Sequence, residues 1–78
     1  MTSKQIRKAV IFHRKKSKLT QKQLADLAGV GKTVVFDIEK GKETVQLNSL
    51  LKVLSVLNIK LEMKSSLMQL METENEES

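Results

Sequence analysis

The chain has 78 residues and contains no cysteine, no proline, no tryptophan and no tyrosine. Without cysteine there is neither a disulfide nor a thiolate metal site to staple so small a domain, and a reducing cytoplasm is the expected setting. No uncharged stretch approaches the length of a membrane span, and the N-terminus lacks the apolar core of a signal peptide. The expected protein is soluble and cytoplasmic, with no membrane contact. Two phenylalanines alone cannot build an aromatic platform for stacking single-stranded bases. There is no nucleophile–base pair, carboxylate dyad or phosphate loop, so no enzyme is expected. A lone histidine, His13, has no companions for a metal site and is expected to be a partly buried packing residue. No cofactor and no metal are expected.

What is present is charge, unevenly spread. Lysine and arginine number 14 against 9 acids, a net +5. All the basic residues and five acids fall in residues 1–64, which carry +9, whereas residues 65–78 hold Glu72, Glu74, Glu76 and Glu77 and carry −4. A body this basic suits a polyanion, most commonly nucleic acid; the alternative is a merely well-solvated surface. The composition break divides a folded body, 1–64, from an acidic, partly disordered tail, 65–78.

With proline absent, the three glycines at 29, 31 and 41 punctuate an otherwise helical text. A first helix is expected over residues 4–16, with Ile6, Val10 and His13 at helical spacing. A second opens at Thr20, where Thr20 and Gln23 form a T-x-x-Q capping box, and stops at Gly29. A third runs from just after Gly31 to Lys40, with Val35 and Ile38 inward. A fourth covers residues 47–57, where Leu47, Leu50, Leu51, Leu54 and Leu57 make an apolar stripe, and Asn58 ends it. Residues 59–64 then alternate apolar and charged with period two, a strand pattern. One strand cannot satisfy its own backbone. Its simplest partner is the same strand of a second copy, giving a two-stranded ribbon through Ile59, Leu61 and Met63; the alternative is an extended loop on the core.

Residues 20–41, TQKQLADLAGVGKTVVFDIEKG, carry the function. A small residue, Ala25, sits where two helices must approach; Gly29 supplies a turn with positive φ; Val30 plugs the turn; a short amphipathic helix follows. With Val35 and Ile38 inward, Lys32, Thr33, Phe36 and Asp37 face outward. Lys32 can donate to guanine or to a phosphate, and Thr33 can read either kind of base edge. Phe36 can meet a thymine methyl or pack on a neighbouring helix. Asp37 can accept from cytosine or pair locally with Lys40 or Lys32. Lys22, Lys40 and Lys42 suit phosphates.

This pattern resembles the lambda-repressor-like, or XRE-type, helix-turn-helix family over residues 6–61. The resemblance implies an all-α fold, a compact four-helix helix-turn-helix domain followed by a short β-strand and a flexible tail. It implies that Gln21 clamps a phosphate, and that Arg14 and Glu39 form a partly buried structural ion pair. Gly31 departs from the serine or threonine that usually caps the third helix. In finer detail, the segment VGKTVVFDIEKGK and the strand after helix four resemble HipB-type antitoxins. That resemblance implies a bacterial, nucleoid-associated homodimer that binds double-stranded DNA at a palindromic operator, represses its own operon and neutralises a HipA-like kinase toxin. The alternatives are a stand-alone XRE-type repressor, or a helical adaptor that binds only protein, for which Ile11 and Phe12 and the methionine-rich tail speak.

Overall fold

A computed structural model describes residues 2–62 together with Ser65 and Leu67. Its elements are α1 (Ser3–Lys16), α2 (Gln21–Ala28), α3 (Lys32–Glu39) and α4 (Leu47–Val56). Among the described residues there is no strand, and none of their helices is long and apolar enough to cross a membrane.

Local chemistry sets the helix ends. Two T-x-x-Q capping boxes start α1 and α2. In the first, the Gln5 amide donates to Thr2 Oγ1 at 3.1 Å and the Thr2 amide donates to Gln5 Oε1 at 2.9 Å. In the second, the Gln23 amide donates to Thr20 Oγ1 at 3.0 Å and the Thr20 amide to Gln23 Oε1 at 2.8 Å. Each box satisfies two backbone donors that the helix itself leaves unpaired. At the end of α2, Gly29 turns left-handed with φ 70° and ψ 33°. The Val30 amide then reaches back to the Ala25 carbonyl at 3.0 Å. Asn58 plays the same part after α4 at φ 57°, letting the Ile59 amide reach the Leu54 carbonyl at 2.9 Å.

Four helices converge on one core. α1 contributes Val10, α2 Leu24 and Ala25, α3 Val35 and Ile38, and α4 with its C-cap Val53, Leu54 and Leu57. Ala25, 1% exposed, occupies the point where a larger side chain would force α2 and α3 apart. Val30 is half-buried against this core.

Two expectations need correction. His13 is exposed rather than a packing residue; its Nδ1–H donates to the Ala9 carbonyl at 2.7 Å. The leucine stripe of α4 is buried along one edge only, where Leu54 and Leu57 join the core and Leu50 packs against it. Leu47 is 63% and Leu51 45% exposed, while Val53, outside the stripe, is fully buried. The stripe spans a wider arc than the neighbouring helices cover, and the core lies toward its Val53 side. Residues 59–62 have no regular secondary structure, although their burial alternates: Ile59 and Leu61 are half-buried, Lys60 and Glu62 exposed. Met63 and most of the tail lie outside the described residues.

Candidate nucleic-acid interface

The candidate interface is built around α3, whose two sides have opposite chemistry. Val35 and Ile38 enter the core, and Glu39 at the C-terminal end is only 8% exposed. Lys32, Thr33 and Phe36 stand outward into solvent, and Asp37 is half-buried beside them. Phe36 is 46% exposed, and Lys40 Nζ lies 5.0 Å from its ring centroid. That cation–π contact presents the ring and the charge as one unit. Lys42 Nζ lies 3.8 Å from Asp37 Oδ2, and the Lys42 amide donates to the Asp37 carbonyl at 3.0 Å. The local partner of the acid is therefore Lys42, not the Lys40 or Lys32 that the sequence offered as the alternative to a base contact. Lys32 makes no ion pair among the described residues. At α2, Lys22 Nζ pairs with Asp26 at 3.0 Å in full solvent, an i,i+4 contact of little energetic weight.

Behind this face, one carboxylate ties the helices together. Arg14 Nε donates to Glu39 Oε2 at 2.6 Å and Arg14 Nη2 to Glu39 Oε1 at 2.9 Å. The third arm of the guanidinium, Nη1, donates to the Leu19 carbonyl at 2.9 Å. Gln21 Nε2 donates to Glu39 Oε1 at 3.1 Å. Burial, the largest single influence, pushes the Glu39 carboxyl up. The bonds from Arg14 and Gln21, with the charges of Arg14 and Lys15, outweigh it and hold the group below its ordinary value. The bond to Glu39 raises Arg14 in turn, against its own desolvation. The structural ion pair expected from sequence is thus a bidentate clamp with a third partner.

Gln21 was expected on a phosphate. In the free chain its amide group serves Glu39, fixing the start of α2 to the end of α3. The Gln21 Nε2 amide carries two N–H donors and that bond uses one, so the second remains for a phosphate. A second tie was not foreseen. Arg7 Nε donates to the Glu39 backbone carbonyl at 2.7 Å, covering the negative end of α3 from α1. Nothing local to Arg7 distinguishes it from the other bases of α1; only the approach of α1 to α3 selects it. Gly31 stands at the N-cap of α3 with no side-chain bond, leaving the first amides of the helix without a side-chain cap.

The family model described as helix-turn-helix matches residues 13–63, which run from the last turn of α1 through α4 and the segment after it. A protein of Sinorhizobium fredii, named as the uncharacterized HTH-type transcriptional regulator y4mF, is 46% identical over 44 residues. The matched stretch is 56% of this chain and 58% of that relative, so it spans a little over half of the relative's length.

Proposed function

The chain belongs to the helix-turn-helix family, and from that premise we propose that it is a sequence-specific DNA-binding transcriptional regulator that lays α3 in the major groove. One observation carries this reading: α3 is held from behind through Glu39 while Lys32, Thr33 and Phe36, on its first turns, face outward into solvent. Recognition helices of this kind present their N-terminal residues to base edges, and a scaffold that fixes the helix keeps those side chains in register. Lys32 is the donor for guanine or phosphate, Thr33 an edge reader and Phe36 the contact for a thymine methyl. Asp37 discriminates, since it repels phosphate and accepts from cytosine. Lys22 and Lys42 supply phosphate contacts once DNA displaces Asp26 and Asp37, and Lys40 supplies another from its place over the Phe36 ring. The net +9 of residues 1–64 drives the association.

The finer part of the proposal is a homodimer. Ile59 and Leu61 already pack on their own core. A ribbon with a second copy therefore forms through the backbone edge of this segment, with its alternating side chains keeping one face on the core. A two-fold dimer places its two α3 helices in successive major grooves about 34 Å apart, and its operator is an inverted repeat. The resemblance of VGKTVVFDIEKGK and the following alternation to HipB-type antitoxins supports autoregulation and capture of a HipA-like kinase; inhibition of such a kinase by the purified chain is the readout that separates this from a stand-alone repressor. The DNA reading is tested by selection from a random duplex pool. Enrichment of an inverted repeat with half-sites about one helical turn apart is the expected result, and an unenriched pool contradicts it.

A further inference from the structure

The outer face of α1 is not used by the DNA reading. Lys8, Ile11, Phe12, Lys15 and Lys16 line a shallow apolar groove there. Phe12 is 57% exposed, with Lys16 Nζ 5.6 Å from its ring centroid. An exposed phenylalanine beside a half-buried isoleucine and ringed by three lysines favours an occupant that is apolar in the middle and acidic at its edge.

The chain supplies such an occupant. Residues 67–77 read LMQLMETENEE, an apolar group of Leu67, Met68, Leu70 and Met71 followed by Glu72, Glu74, Glu76 and Glu77. The approach is also set. Ile59 and Leu61 line a cavity with Gln5, Ile6, Ala9 and Leu54, so the chain leaving α4 runs along α1 at Gln5 and Ala9. Ala9 and Phe12 are neighbours on one helical face. From Ala9 to Lys16 α1 rises about 10 Å, whereas the six residues from Leu61 to Leu67 can span about 20 Å. Reach is no obstacle. Leu67 stands 66% exposed, an apolar side chain without cover.

We propose that the groove of Lys8, Ile11, Phe12, Lys15 and Lys16 is the docking site of this chain's own acidic C-terminal segment. Leu67, Met68, Leu70 and Met71 cover Ile11 and Phe12, and the following glutamates meet the three lysines. Docking moves Leu67 from its exposed position onto α1 and shields part of the basic body at moderate salt. This inference does not depend on the DNA reading.

The absence of cysteine makes a direct test simple. A nitroxide on Thr73→Cys of the full chain, labelled with nitrogen-15, reports proximity through loss of amide signals. The amides of Lys8, Phe12, Lys15 and Lys16 are expected to lose most of their intensity, and to do so unchanged when the labelled chain is diluted in unlabelled protein. Full intensity at those amides overturns the proposal. So does recovery on dilution, which would place a second copy's tail in the groove. The triple change Lys8→Glu, Lys15→Glu, Lys16→Glu alters only exposed side chains; it is expected to restore the signals, and persistence of the loss in that variant rejects charge-guided docking.

Discussion

Glu39 is a carboxylate almost withdrawn from water and held by three hydrogen bonds, two from Arg14 and one from Gln21, on two other helices. Removing it strands the Arg14 guanidinium beside the core, so Glu39→Ala should cost about 3 kcal/mol in a denaturant titration. In a domain this small that is a large share of the total. Replacing both partners with leucine should cost much less than the two single changes together, because no charge is then left unpaired. The same residue sets a pH dependence. Its carboxyl is lowered in the folded chain, so its stabilisation is complete above the unfolded value of about 4.3 and fades as pH falls through the lower, folded value. Acid unfolding monitored by circular dichroism should therefore steepen below that unfolded value, and Glu39→Gln should flatten this part of the curve. Lys32 belongs at the opposite end of the helix. Lys32→Ala should leave stability unchanged and weaken operator binding by about 1–3 kcal/mol if it reads a base; an equal loss on all duplexes would make it a phosphate contact.

At the scale of elements, the turn between α2 and α3 is the most exacting. A Cβ at Gly29 would touch nothing, so only the left-handed φ of 70° resists substitution there. Gly29→Ala should cost about 1 kcal/mol from that conformation alone. Gly31 is different, since its φ of −72° suits any residue. Gly31→Ser should add a few tenths of a kcal/mol by capping α3, read as a small rise in thermal midpoint. These turn positions were legible because glycine and T-x-x-Q are local signals. The box at Thr2 and Gln5 has the same spacing as that at Thr20 and Gln23, and it starts α1 at Ser3, one residue before the start expected from periodicity. The burial of α4 was less legible. Periodicity marks a stripe on Leu47, Leu50, Leu51, Leu54 and Leu57, but which edge of it is covered depends on where α1 and α2 lie, and Leu47 and Leu51 fall on the open side. Arg7 and the second role of Gln21 were hidden for the same reason: both are contacts across long sequence separations.

For the whole molecule, charge and symmetry are the governing quantities. Residues 1–64 and the segment beyond them have opposite sign, so the salt dependence of DNA affinity should follow the basic body less the part that a docked segment shields. The proposed dimer rests on a backbone edge at residues 59–63. Lys60→Pro removes one backbone donor there while leaving Ile59 and Leu61 on the core; sedimentation equilibrium should then find a monomer, and an undiminished dimer would exclude the ribbon. The measurement that tests the central reading most directly is competition binding of the chain to its selected inverted repeat against a scrambled duplex, repeated across a salt series. Tight binding to the repeat that weakens linearly with the logarithm of salt, with a large preference over the scrambled duplex at every salt, is expected. Equal affinity for the two duplexes would contradict sequence recognition by α3.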